Sequence, residues 1–430
     1  MIEFAKKLFP IYRSLTGEGV KQTLLIIKSE IPGFKINYFN SGKKVFDWKI
    51  PPEWSVKEAY IKNEKNEKIV DFKKNNLSIV VYSQPINKIL NKNTLERHIF
   101  TIPSHPNWIP YITSYYKKFW GFCMKENEKR KLFKGKKFQV KILSNFNKKG
   151  KMHYGELFIK GKSKKEILIS TYVCHPQMAN NEISGPTIAT YLAKYFLNKK
   201  NEYSMRFLFL PETIGSIGYI NKNLKNLKKN VIAGYVLSCV GDEGEFSLIP
   251  TKKNNTISNT IAINVFKKSK IKFKKYSFLD RGSDERQFNS PGVDLPIAVI
   301  TRTKFGSYPE YHTSADNFNI VTNKGLIKSF TIIREILKSI NKLIIPTPNI
   351  TCEPFLNKRK LYPHFSTIKG VKYKSKISKG ERDFNSQTIL DFYMYCNGLR
   401  DINNIAKKIN ISEKKALKFY KILKTSKIIY

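Results

Sequence analysis

The sequence predicts an α/β fold: a doubly wound, mostly parallel sheet with a β-rich domain inserted near its start and a small helical domain at its end. Three observations carry that prediction. Between about 138 and 342, short apolar runs alternate with amphipathic stretches, the pattern of strands joined by helices that cover both faces of a sheet. Between 35 and 125 the pattern is short apolar or aromatic runs separated by turn residues, with helical periodicity largely absent. Beyond Pro346-Thr-Pro348 the alternation stops and three short helical patterns follow.

With 430 residues, the chain has room for two or three domains, since domains usually run about 100 to 200 residues. The expected partition gives 1–34 and 130–345 to the α/β domain, 35–129 to the β-rich insertion and 360–430 to the C-terminal domain, with a linker at about 343–360. Residues 1 to about 30 read as a helix interrupted at Gly17 and Gly19, ended by Pro32-Gly33. In the insertion, the aromatic stretch from His105 to Cys123 is read as core or packing contact, the default use of dense aromatics, and His98 and His105 as structural. Strands are expected at 138–143, 167–173, 205–210, 231–240 and 295–300, and helices at about 185–198, 214–226, 256–268 and 322–341.

A parallel sheet has a chemical consequence, because side chains just after its strands converge on the edge where open α/β folds build their sites. His175 follows one strand, Glu212 the next and Asp242 the third, and His312 lies beyond the last. Imidazoles with carboxylates are the usual zinc ligands outside thiolate sites. Glu212 would then be free to take a proton from water that the cation acidifies. Each residue also has a plainer reading: a loop histidine is commonly just hydrogen-bonded, and the helix dipole alone favours a glutamate at a helix start.

The net charge of +45 would ordinarily suggest nucleic acid or an anionic surface. Here the lysines are spread through almost every loop and helix, a bias of composition, and nucleic acid is not the expected partner. Five cysteines, an odd number without a CxxC spacing, fit a reduced cytoplasmic protein. The N-terminus lacks the apolar core of a signal peptide, and no stretch approaches the roughly 20 apolar residues of a membrane span, so no membrane partner is expected.

Four segments carry a resemblance: Cys174-His-Pro-Gln-Met-Ala-Asn-Asn-Glu-Ile-Ser-Gly-Pro186, Pro211-Glu-Thr-Ile-Gly-Ser216, Arg281-Gly-Ser-Asp-Glu-Arg-Gln287 and Tyr311-His-Thr-Ser-Ala-Asp316. Together they resemble the aminopeptidase-like domain of uncharacterised bacterial proteins related to zinc-dependent exopeptidases. Val45-Phe-Asp-Trp48 and Trp120-Gly-Phe-Cys123 are similar to that family's inserted β-domain. The resemblance implies a zinc exopeptidase-like fold interrupted by the β-domain and followed by a C-terminal winged helix. It also implies metal-binding roles for His175 and His312 and a general-base role for Glu212.

At three positions the chain departs from the di-zinc relatives. Asn181, with Glu182 beside it, stands where they carry a bridging aspartate; Thr213 stands for the second glutamate of a Glu-Glu pair; Ser238 falls on or near a metal-binding aspartate. Two close cations need several carboxylates to offset their repulsion, and a neutral amide does not supply that. The expected cofactor is therefore one zinc ion rather than two, held by His175, His312 and either Asn181 or Glu182, with water in the open position. Around it, Asp284 either supports the ligands from behind or contacts substrate, unless it only caps the next helix. Arg281, Arg302 and Tyr311 border the same edge, and Asp316 is expected to orient His312.

The tail reads as helices at about 386–397, 401–409 and 413–424, with a short strand at Ile428-Ile429, in the manner of a helix-turn-helix. Lys414, Lys415, Lys418, Lys421 and Lys424 make one helix basic, but no Arg, Asn or Gln occurs between 413 and 424 to read base edges. Packing on the α/β domain or on a second copy of the chain is the expected role. The function read from the sequence is a metallohydrolase that cleaves an amide or peptide bond of a small substrate. A catalytically silent binding protein and a nucleic-acid-binding regulator acting through the tail are the alternatives.

Overall fold

A computed structural model describes residues 1–132, 135–359, 361 and 386–430. Its central sheet has eight strands, in the spatial order Lys35–Asn40, Lys151–Ile159, Tyr203–Leu210, Ser163–Tyr172, Val231–Leu237, Ile297–Thr301, Phe246–Ile249 and Phe273–Lys275. The four in the middle run parallel, and antiparallel pairs flank them on both sides. Every residue of Val231–Leu237 and Ile297–Thr301 is buried. That is why these strands are legible as unbroken apolar runs: a parallel strand is covered on both faces.

The flanking strands differ from expectation. Lys35–Asn40, assigned to the insertion, pairs with Lys151–Ile159 at one edge of the central sheet. The run at 138–143 belongs to Lys137–Asn147, which lies instead in a separate four-stranded antiparallel sheet ordered Lys68–Asp71, Glu53–Lys62, Lys137–Asn147, Ile86–Asn91. Its burial alternates along the strand, as a sheet covered on one face requires. The strands Lys151–Ile159, Phe246–Ile249 and Phe273–Lys275 were not expected.

The first 30 residues form two helices, Ile2–Leu8 and Glu18–Glu30. Gly17 begins the second with φ +94°, and a Cβ there would lie 2.5 Å from the Trp54 carbonyl oxygen, so the turn requires glycine. The loop between the helices carries Arg13, fully buried, which donates to the carbonyls of Leu8 (2.7 Å) and His175 (2.9 Å). The helices Ser184–Leu197, Ile214–Asn230, Ile257–Lys268 and Asn323–Asn341 fall where expected.

The described residues of 339–430, together with 255–257, form a second compact unit. Its helices Ser386–Met394, Ile402–Lys408 and Glu413–Thr425 enclose a core that includes Phe392, Ile405, Phe419 and Leu423. Asp401 and Ser412 cap the last two helices, satisfying backbone N–H groups that a helix start leaves open. Leu356 belongs to this core and Pro348 bridges Ile429, so much of the expected linker is part of this unit. Residues 360 and 362–385 of the expected winged helix lie outside the described residues. No helix among the described residues is long and apolar enough to cross a membrane.

Candidate active site

Three loops at the carboxyl ends of the parallel strands bring the expected residues together. His175 follows Ser163–Tyr172, Glu212 follows Tyr203–Leu210, and His312 lies beyond Ile297–Thr301. The two imidazole centroids are 5.6 Å apart with planes at 44°. Two imidazoles sharing a tetrahedral zinc at about 2.0–2.1 Å have centroids roughly 5 Å apart, a separation that this pair approaches. Nε2 of His175 lies 3.6 Å from Oε2 of Glu212.

Glu182 supports His175 from behind. Its Oε2 is 2.9 Å from Nδ1 of His175, and its Oε1 is 3.4 Å from Nε of Arg13. A carboxylate on one ring nitrogen fixes tautomer and ring orientation and leaves the other nitrogen for a ligand. Burial raises the Glu182 carboxyl, and the Arg13 guanidinium works against that rise. Burial, with Arg13 adding to it, pushes His175 down to about 3, and burial, with His175 adding to it, pushes His312 down to about 3. Both rings are therefore neutral at neutral pH, the form that binds a metal.

Cys174, His175 and Glu182 also bring ligand atoms within 4.8 Å of one another. That side suits a cation poorly, because Arg13 already faces Glu182 and burial pushes the Cys174 thiol well up, against the thiolate. Glu182 thus acts on His175 and is not itself placed as a ligand.

Asn181 sits in the turn Ala179–Ile183. Its Nδ2 donates to the Tyr172 hydroxyl at 2.8 Å, while Oδ1 is buried without a hydrogen-bond partner. Nε2 of His312 is likewise buried and unpartnered. Orphaned acceptors of this kind call for an explanation. With Nε2 of His175 they are nitrogen and oxygen atoms of the kind that zinc takes as ligands.

Asp316 does not orient His312 as expected. Its carboxylate accepts from the backbone N–H of Asn180 (2.5 Å) and Asn181 (3.0 Å) and from the Tyr308 hydroxyl (3.0 Å). N–H groups at the opening of a helix lack intrahelical acceptors, and Asp316 fills that need for the turn that presents Asn181. Asp242 braces the same turn by accepting from Nδ2 of Asn180 at 2.9 Å.

Glu212 is held by Ser283, whose hydroxyl donates to Oε1 at 3.0 Å. Burial, then the nearby Asp284, pushes Glu212 up to about 8. Asp284 makes no side-chain cap to the helix Glu285–Phe288. Its Oδ1 accepts from Thr213 N (2.7 Å) and Ser216 Oγ (2.8 Å), bracing the turn after Glu212. Thr213 there has φ +64°, and its hydroxyl accepts from Arg286 Nη2 at 2.5 Å. Arg281 is exposed and lies over the Phe278 ring, and Arg302 is buried against Phe246 with Nε on the Gly244 carbonyl. Neither has a described contact with the two imidazoles or Glu212.

Tyr311 stacks on His312 at 3.9 Å, and Tyr111 sets its ring edge against both His175 (5.2 Å) and His312 (5.1 Å). Tyr111 belongs to the stretch read as packing, and its N–H donates to the His312 carbonyl at 2.8 Å. Arg13, Ser283, Arg286 and Tyr111 were not singled out in the sequence. Their segments carried no mark of the role beyond the motif around Ser283.

Residues 2–342 match a family profile described as a domain of unknown function, DUF4910. The chain belongs to this family. A Clostridium acetobutylicum protein, provisionally named for polysaccharide biosynthesis and an aminopeptidase-like domain, is 42% identical to it over 358 residues, covering 83% of this chain and 81% of that protein. The crystal structure of a provisionally named peptidase from Clostridium acetobutylicum superposes with a TM-score of 0.78 at 35% identity, covering 100% of this chain and 95% of that one. A zinc aminopeptidase from Bacillus subtilis gives 0.59 at 13% identity, covering 79% and 94%. The DUF4910 chain therefore has an aminopeptidase-like domain homologue and shares the fold of zinc aminopeptidases.

Proposed function

We propose that this DUF4910 protein is a hydrolase of amide or peptide bonds that works with one zinc ion. The observation that carries the reading is the convergence of His175, His312 and Glu212 on one rim, with Oε2 of Glu212 at 3.6 Å from Nε2 of His175. Zinc would be held by the two imidazoles and Oδ1 of Asn181. Bound there, it would acidify water and polarise the amide carbonyl. Glu212 accepts the proton of the attacking water at Oε2 and delivers it to the departing nitrogen. Ser283 fixes Oε1, which leaves Oε2 turned toward His175. Tyr111 and Tyr311 shield the rings from water, and Arg13 with Glu182 sets the tilt of His175.

One ion rather than two is supported by what surrounds it. The hydroxyls of Thr213 and Ser238 are already hydrogen-bonded, to Arg286 and Tyr172, and a guanidinium beside Thr213 repels a second cation. The name of the Clostridium relative makes an amide on a sugar a substrate to test beside peptides.

A second reading, a binding protein that keeps the fold without the chemistry, draws on the neutral Asn181, Thr213 and Ser238. Zinc content of the purified protein, measured beside His175→Ala and Asn181→Asp and paired with a panel of aminoacyl anilides and N-acyl amino sugars, separates the two. Stoichiometric zinc with turnover supports the hydrolase. Zinc only in the Asp variant supports the binding protein.

A further inference from the structure

The helix Ile214–Asn230, which begins one residue after Thr213, also floors a cavity that the chemistry above does not use. The cavity measures about 360 Å³, within the span of small-molecule sites, roughly 300–1,000 Å³. Ile217, Ile220 and Leu224 line it at the i, i+3, i+7 spacing of one helix face. Val293 closes a second side, and Phe46 and Trp48, from the hairpin of Lys44–Val45 and Trp48–Lys49, form the third.

Large aromatic rings stand exposed at its rim. Phe46 and Trp48 are 46% and 42% exposed over a floor where Ile220 is 1% exposed, so two large rings stand half in water above buried aliphatic carbon. Phe46 holds φ +51° as the first of the two residues that turn this hairpin, where tight turns take positive φ.

Two chains of neighbouring residues lead from the lining toward the rim that carries Glu212. Along the helix, Ile217 is four residues past Thr213, about 6 Å of rise. Gln287, also in the lining, follows Arg286, which donates to Thr213. Across the opening, Trp48 sets its ring against Tyr116 at 5.9 Å, and the neighbouring Tyr115 hydrogen-bonds through its hydroxyl to Tyr111 at 2.8 Å.

We infer that this cavity is a subsite for an apolar alkyl or aryl side group of the substrate whose amide bond lies at Glu212. The inference rests on the hydrolase reading for the identity of the substrate, though not for the binding of the apolar group. The lining is dominated by aliphatic and aromatic carbon, so an occupant without polar atoms leaves little unsatisfied within it. A benzene-sized group fits a cavity of about 150 Å³, so this one takes a ring together with its link to the amide.

The test is calorimetric titration of the metal-free full-length protein with N-alkylacetamides from propyl to hexyl. In the wild type, affinity is expected to rise about fourfold per added methylene. In Trp48→Ala, which removes a half-exposed wall, the rise is expected to fall below twofold, and Ile220→Trp, which fills the cavity, should abolish it. A flat series in the wild type, or an unchanged slope in Trp48→Ala, overturns the inference. The same side groups are then presented as anilides to the zinc-loaded protein. Binding that follows chain length without cleavage of either the anilides or the N-acyl amino sugars refutes the hydrolase and leaves the subsite standing, whereas cleavage indifferent to chain length refutes the subsite and leaves the hydrolase.

Discussion

Arg13 and Glu182 form an ion pair with no solvent exposure on either side chain, Nε to Oε1 3.4 Å, linking the first loop of the chain to the loop that carries His175. The same guanidinium donates to the His175 carbonyl, and the same carboxylate meets the His175 ring. Two residues far apart in sequence thereby fix both the backbone and the imidazole of one candidate ligand.

Removing one partner leaves the other charge buried alone, a change that typically costs about 3–5 kcal/mol. Arg13→Met and Glu182→Gln are each expected to lose stability of that order in denaturant unfolding. The double variant should lose clearly less than the sum, since partners in contact are not additive. Glu182→Gln should also weaken zinc binding by about 10- to 100-fold, the usual effect of losing a ligand's supporting partner. An additive double variant would show that the pair carries no coupling.

How much of this was readable beforehand follows from the kind of signal each part leaves. Val231–Leu237 and Ile297–Thr301 are covered on both faces and write themselves as apolar runs. Lys151–Ile159 interleaves Lys151, His153 and Glu156 with its apolar residues and gives no such run. His175, Glu212 and His312 were legible because strand ends in a parallel sheet predict where side chains converge. Arg13 was not, because its partners at the site lie 162 and 169 positions away, and only tertiary packing brings a loop arginine under a histidine. Asp316 was placed in the right neighbourhood with the wrong partner: sequence gives proximity, but the open N–H groups of Asn180 and Asn181 decide where its oxygens go.

Those two N–H groups give a second prediction. Asp316→Asn keeps one acceptor oxygen and sets an amide NH₂ against a backbone donor. The expected loss is about 1–3 kcal/mol, the cost of a buried donor left unpaired. Because the turn presents Asn181, zinc content should fall together with stability. Normal zinc uptake in a destabilised Asp316→Asn protein would show that the turn is not part of the metal site.

Glu212 gives a pH dependence. Burial and Asp284 push it up to about 8 in the folded protein, against roughly 4.3 to 4.5 for an unfolded chain. A raised folded value means that the folded state keeps a proton the unfolded state has lost. The contribution is complete below the unfolded value and is lost as pH rises toward 8. With the side chain 20% exposed, the slope is at most about 1.4 kcal/mol per pH unit. In the metal-free protein, unfolding free energy should therefore fall from pH 5 to 8 relative to Glu212→Gln, which has no proton to lose. Parallel curves for the two proteins would place Glu212 in an ordinary solvated setting.

The sharpest prediction concerns Asn181, whose Oδ1 is buried without a partner. Asn181→Asp turns that oxygen into part of a carboxylate with the same shape. Without metal the change buries an added charge, so the variant should be less stable than the wild type or hold its carboxyl protonated. With zinc the sign reverses, because an anionic ligand binds the cation more tightly than a neutral amide does. A ligand that binds only the folded state adds stability as RT ln(1 + [L]/Kd), about 4 kcal/mol at a thousand times Kd. Melting curves of both proteins, with zinc and after chelation, thus give four temperatures and a clear expectation: the variant lowest without zinc and highest with it. If zinc raises both proteins equally, the side chain of residue 181 does not reach the ion, and the donor set must be completed from elsewhere on the rim.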